Sequence, residues 1–187
     1  MPWTTLVVGS LSLLAVLSIA YSTVRTSVPP MPSSMRSRRV VLDLLAEYVP
    51  DQPNVRLADL GSGWGGLAIP MARRFPQYRI EGYELSWLPW LVSRLMKAAF
   101  RLDNLTLHRR NFNRADLDHV GILVTYLNPN VMAQLKQRLD RPEQPRRTLI
   151  SIGFALPGKT AERTLRVNEL YNTPIDIYRL GRTTNDR

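Results

Sequence analysis

Between Val55 and Gly66 the chain reads Val-Arg-Leu-Ala-Asp-Leu-Gly-Ser-Gly-Trp-Gly-Gly, and this stretch limits the possible folds most. An apolar run closes on the acid Asp59, glycines follow, and Leu67 to Arg73 resumes with helical spacing. A strand passing through a tight glycine turn into a helix leaves backbone N–H groups open to a charged, nucleotide-like ligand. A second short run, Tyr78 to Glu84, ends in a carboxylate about 20 residues past the glycines, where an acid can hold ribose hydroxyls. The two pieces together imply an adenosine-containing cofactor.

Downstream of Pro53, strand signals at 55–60, 78–84, 104–109, 119–127 and 147–155 alternate with helical periodicity over 65–75, 86–101 and 130–140. That alternation predicts an α/β fold, a Rossmann-like, mostly parallel sheet with helices on both faces. Arg163 to Tyr171 and Pro174 to Leu180 are alternating runs joined by Asn172-Thr173, and they predict a C-terminal antiparallel hairpin. The 187 residues suffice for one such domain and not for two. Gly61, Gly63 and Gly66 also satisfy the dinucleotide fingerprint GxGxxG. Against that reading stand Asp59, where dinucleotide strands are apolar, the lack of a second domain, and the hairpin in place of a second mononucleotide half.

The N-terminal segment has a different character. Met1 to Val24 carries no charged side chain, and Leu6 to Ala20 is apolar with small residues throughout. This approaches the roughly 20 residues that cross a bilayer as a helix, with Trp3 and Tyr21 placed as interfacial anchors. A cleaved signal peptide competes, since Ser18-Ile19-Ala20 would make a cleavage site, but no Lys or Arg precedes the apolar run. Arg25, Arg36, Arg38 and Arg39 follow it, so the positive-inside rule places the bulk of the chain on the cytoplasmic, or matrix-equivalent, side. The expected organisation is an anchor over 1–24, a Pro-rich linker over 25–35 and a folded domain over 36–187. Ser33 or Ser34 is the expected N-cap of a helix reaching Tyr48.

Composition narrows the chemistry. The chain contains no cysteine, which removes disulfides, thiolate nucleophiles and Cys-ligated zinc. His108 and His119 cannot form a three-histidine site alone, and no metal is expected. The net charge of +10 comes from scattered arginines without interleaved aromatics, so no specific nucleic-acid surface is expected.

Asp59-Leu60-Gly61-Ser62-Gly63-Trp64-Gly65-Gly66, with Tyr83-Glu84-Leu85 downstream, resembles the first two motifs of class I S-adenosylmethionine-dependent methyltransferases. The resemblance implies S-adenosylmethionine as cofactor. It implies Glu84 as the ribose ligand, Leu85 beside it, and Asp59 orienting the loop of Gly61, Ser62, Gly63 and Gly65 toward the cofactor's ammonium. It also implies Asn111 and Phe112 around the adenine, with Asn in place of the usual acid; its oxygen can still accept a hydrogen bond. A single N-terminal span, the Val28-Pro29 linker, the DLGSG turn, the YEL strand end and Tyr126-Leu127-Asn128-Pro129 occur in that order. This arrangement is similar to the small membrane-anchored protein-lysine methyltransferases whose mitochondrial members modify the ATP-synthase c subunit and the adenine nucleotide translocase. The likeness covers roughly residues 20 to 156, but Trp64-Gly65-Gly66 replaces the Asp-Gly-Arg common in relatives.

The resemblance implies N-methylation of a lysine on a membrane-associated protein, with Tyr126 and Asn128 as catalytic candidates and Val28, Pro29, Leu127 and Pro129 lining the substrate channel. A small-molecule or lipid-headgroup methyltransferase, or a non-catalytic cofactor-binding partner subunit, are the alternatives. Trp87, Pro89 and Trp90 open a helix rich in leucine and are expected to pack or to meet a membrane interface. His108 and His119 are expected to be ordinary packing or surface residues, and Asp116 and Asp118 loop acids.

Overall fold

A computed structural model describes residues 3–10, 34–49, 55–141, 145–169 and 172–181. Its strands are β1 (Arg56–Leu60), β2 (Arg79–Glu84), β3 (Leu105–Arg109), β4 (Val120–Thr125), β5 (Arg147–Ile152), β6 (Arg163–Arg166) and β7 (Pro174–Leu180). They form one sheet in the order β3-β2-β1-β4-β5-β7-β6. β1 to β5 are parallel, while β7 runs antiparallel to β5 and β6 antiparallel to β7. The expected terminal hairpin is present, and it inserts its second strand between β5 and its first.

The helices packed with this sheet are α1 (Met35–Tyr48), α2 (Ala68–Arg74), α3 (Trp87–Ala99) and α4 (Pro129–Leu139). Val41, Leu44 and Leu45 of α1 and Ile69 and Met71 of α2 share one core with Leu57, Ile80, Val124, Ile150 and Ile177. Met132, Leu135 and Leu139 of α4 share the other with Ala58, Leu60, Leu123, Leu149 and Tyr178. Successive strand residues therefore enter opposite cores, which is why β1, β4 and β5 are buried along nearly their whole length.

Element limits differ from the periodicity for local reasons. α2 starts at Ala68 and not at 65, because Gly65 takes φ 81° and spends the first expected turn. α3 stops short of Arg101, whose φ of 51° cannot continue a helix. The α1 N-cap is Ser34, whose hydroxyl accepts the Ser37 N–H at 2.9 Å. Ser34 and Ser37 also donate to the Glu169 carboxylate, and Arg36 donates to the Asn168 carbonyl, tying the head of α1 to the loop after β6.

The expected transmembrane helix is not among these elements. Residues 3–10 are helical, and no helix among the described residues is long and apolar enough to cross a membrane. The remainder of the expected span, with the linker that carries Val28 and Pro29, lies outside the described residues.

β1 lies between β2 and β4, so the chain winds outward through β2 and β3 and then returns to β4 on the other side. That reversal opens a crevice at the carboxyl ends of β1 and β4, where open α/β sheets bind ligands. At the opposite end of the sheet, before the amino ends of β2 and β3, the Asn104 amide donates to the carbonyls of Ala72 (3.0 Å), Phe75 (3.2 Å) and Tyr78 (3.2 Å) and pins the end of α2. Asn104→Ala removes the side-chain donor that these three carbonyls share and is expected to cost about 1–3 kcal/mol in urea unfolding. Asn104→Asp should not restore it, since a carboxylate cannot donate.

Candidate active site

The turn after β1 is held by convergent backbone bonds. Gly61, Gly63 and Gly65 take φ of 83°, 52° and 81°, a region where a β-carbon is strained. The N–H groups of Gly61 and Ser62 both donate to the Tyr83 carbonyl at 2.9 Å. The Gly63 N–H donates to Glu84 Oε2 at 3.0 Å, and the Ser86 N–H to Glu84 Oε1 at 2.6 Å. Two of the carboxylate's roughly four acceptor positions are thus engaged, which leaves capacity for two hydroxyl donors. Leu85 beside it is exposed. The turn is also closely flanked: a β-carbon at Gly65 would stand 3.1 Å from Ser93 of α3, and one at Gly61 only 2.8 Å from Leu127.

Asp59 is buried below this turn, with Oδ2 unpartnered, and the buried Ser62 hydroxyl also lacks a partner. Such orphaned acceptors are costly, and their clustering at a sheet switch point marks a place built to receive donors. Burial raises the Asp59 carboxyl to about 7, opposed by a hydrogen bond from the Ala68 backbone; the nearby Glu84 charge raises it further, and Arg38 lowers it. Arg38 comes from α1, and its guanidinium carbon would lie 2.8 Å from a β-carbon at Gly66. A side chain there would displace the arginine from the turn. Motif spacing gave no sign of Arg38, because it lies outside the strand-turn-helix unit altogether.

The loop after β4 meets the turn from the other side. Leu127 packs on Gly61, and Asn128 caps α4 by accepting the Val131 N–H at 2.9 Å, with exposed Pro129 in the first helical turn. The Tyr126 ring stacks on Phe154 at 6.3 Å, beside the turn formed by Gly153 (φ 79°). Phe154, 38% exposed, is a wall of the crevice that the sequence did not single out. Asn111 caps a short 3-10 turn, Phe112–Arg114, by accepting the Asn113 N–H at 2.9 Å. Phe112 is buried in the α4-side core with Leu60 and Tyr83. The structure thus gathers Asp59, Gly61, Ser62, Gly63, Gly65 and Glu84 around one turn, with Leu127 against it.

The two histidines meet away from this turn. His119 Nε2 lies 3.1 Å and His108 Nε2 3.6 Å from the buried Glu81 carboxylate, which also receives Arg56 and the Tyr83 hydroxyl. Among the described residues no group of three or more His, Cys, Asp or Glu is placed to hold a metal ion.

A raised carboxyl pKa means that the folded chain keeps a proton which the unfolded chain releases near pH 4. Asp59 therefore costs nothing below that point, and its cost grows as pH rises to about 7. At full ionisation the cost is on the order of 4 kcal/mol. Asp59→Asn keeps an acceptor for Ala68 and removes the buried charge. It should raise the urea midpoint at about pH 8 and leave it nearly unchanged at about pH 4.

Comparison with known proteins places this geometry. Residues 59–163, more than half of the chain, match the sequence model of the ANTKMT methyltransferase domain. No curated protein matches the chain significantly in sequence. Among solved structures, an RNA methyltransferase from Salinibacter ruber in complex with S-adenosyl-L-homocysteine is 23% identical, with a TM-score of 0.67 over 84% of this chain and 98% of that one. A SAM-dependent methyltransferase from Aquifex aeolicus is 12% identical, with a TM-score of 0.59 over 80% and 94%. Magnesium protoporphyrin IX methyltransferase from Synechocystis PCC 6803, with bound SAM, is 15% identical, with a TM-score of 0.60 over 78% of each. These structures share the fold. With the family match over its glycine turn, the acid that ends β2 and the switch-point crevice, the chain belongs to the ANTKMT methyltransferase family, class I methyltransferases that use S-adenosylmethionine.

Proposed function

We propose that the domain methylates a lysine amine on a protein held at a membrane, and that it binds its cofactor around the turn at 61–65. The observation that carries the site is the buried, unpartnered pair Asp59 Oδ2 and Ser62 Oγ beside the half-engaged Glu84. Those groups fit the cofactor: Glu84 can accept two ribose hydroxyls, Asp59 suits an ammonium, and Arg38 suits the amino-acid carboxylate. Leu85 and Asn111 stand at the strand ends that would flank the adenosine, with Phe112 supporting them from the core.

When bound, S-adenosylmethionine supplies a methyl group already activated on a sulfonium, so no covalent nucleophile of the protein is required. The chain's contribution is alignment and exclusion of water. Tyr126, Leu127 and Phe154 form an apolar mouth, and desolvation there favours the neutral amine that a lysine must present. Asn128 sets the direction of α4 and with it the wall of the mouth. Val28 and Pro29 are proposed to line the same approach. The acceptor assignment rests on the family to which the chain belongs and on its charge-free first 24 residues followed by a basic domain. Those features support a single-pass membrane protein whose domain faces the cytoplasmic or matrix-equivalent side.

Glu84→Ala should weaken S-adenosylhomocysteine binding by about 10- to 100-fold in calorimetry, and Arg38→Gln by about ten-fold, the scale of a hydrogen bond to a charged group. Incubation of the full chain with membranes and methyl-labelled cofactor should place label in a polypeptide, on lysine after hydrolysis. Label that survives protease and extracts with lipid would overturn the protein acceptor. Absence of any cofactor binding would overturn the enzymatic reading itself.

A further inference from the structure

Helix α3 is apolar on the side that faces solvent. Of its thirteen residues only Pro89 and Ser93 are buried, and both lie on the face toward the sheet and the glycine turn. On the solvent side, at helical spacing, stand exposed Trp87, Leu95 and Ala98 and half-buried Leu88 and Leu91, with Arg94 among them. Trp87 is 55% and Leu95 62% exposed. Large apolar side chains gathered on one helix face are ordinarily covered by protein or lipid, yet Trp87 and Leu95 stay open to solvent among the described residues.

The charges around that face have one sign. Between Leu85 and Leu102 the chain carries Arg94, Lys97 and Arg101 and no acid. The Arg94 guanidinium lies 5.1 Å from the Trp90 ring centroid and that of Arg73 5.2 Å from the Phe100 ring, so these stems run along apolar surface with their charges at the margin. Pairing this face with a second copy about a two-fold axis would bring like charges together. An apolar stripe with a tryptophan and a cationic margin instead matches a helix lying in the headgroup region of an anionic bilayer.

We infer that the outer face of α3 docks on anionic lipid, as a membrane contact within the folded domain and separate from residues 1–24. Its consequence for the site is orientation. α3 begins directly after Ser86, whose N–H binds Glu84, and Ser93 packs on Gly65. Docking would set the crevice at the level of the headgroups, where a lysine at the end of a membrane-embedded segment lies.

The cysteine-free sequence allows a direct test on the full chain. Leu95→Cys and, at an exposed position of α4, Gln137→Cys are each labelled with an environment-sensitive fluorophore and mixed with phosphatidylcholine vesicles, with or without phosphatidylglycerol, containing a nitroxide-lipid quencher. The position-95 label should shift to the blue and be quenched in anionic vesicles, with the position-137 label unaffected. Adding Arg94→Gln and Arg101→Gln should lower the docking constant about thirty-fold, from ~1 kcal/mol for each cation, with S-adenosylhomocysteine affinity unchanged. That affinity also separates failure of docking from failure of the cofactor site. Equal quenching at both positions, quenching independent of phosphatidylglycerol, or absence of vesicle contact would each overturn the inference. A blue shift that grows with protein concentration without vesicles would overturn it in favour of self-association.

Discussion

Three successive N–H groups in one turn are bound to the end of a neighbouring strand, two on the Tyr83 carbonyl and one on the Glu84 carboxylate. This bond set joins the first half of the sheet to its ligand site. Because the turn is fastened to β2, α2 must leave at a fixed angle, and a β-carbon at Gly65 would crowd both Ile69 of α2 at 2.7 Å and Ser93 of α3 at 3.1 Å. Because Glu84 spends two acceptor positions on the backbone, it is oriented before any ligand arrives. The unpartnered Asp59 oxygen is the cost of the same arrangement: the acid is buried beneath the turn, where the Ala68 N–H at the head of α2 serves it and Oδ2 is left without a partner.

The sheet was readable from sequence because short strand runs alternate with stretches of helical periodicity, with β4 apolar almost throughout. The turn was readable because its backbone angles demand glycine. Contacts made across the fold were less so. Arg38 sits 21 residues before Asp59 on a helix with its own apolar stripe, and nothing local marks it as facing the turn. Phe154 follows a strand whose end was placed three residues too far along, which hid it inside an apparent core segment. His108 and His119, read as ordinary packing or surface residues, converge on Glu81, a buried acid within a strand.

α3 shows why periodicity alone misleads. Its sequence holds apolar residues at core spacing, and Trp90 does pack inward, donating to the Leu107 carbonyl at 3.2 Å. The same spacing also populates the outer face, so apolar content overstates how much of the helix is enclosed. Only the placement of Pro89 and Ser93 toward the sheet decides which side is inner. Asn128-Pro129 carries the reverse lesson. A dipeptide that resembles a substrate-binding element also forms an N-cap followed by a first-turn proline, and a local structural demand is enough to account for it.

The order of strands at the far end of the sheet bears on how the chain is made. β5 has no neighbour on its outer side until β7, which emerges after β6, takes its place between them. During synthesis Leu149, Ile150 and Ile152 therefore wait beside an open edge while some twenty further residues leave the ribosome. A chain that stopped before Pro174 would have every residue of the glycine turn and still present that edge to its neighbours. Loss of these last strands would thus show first as aggregation, ahead of any defect at a cofactor site on the opposite half of the sheet.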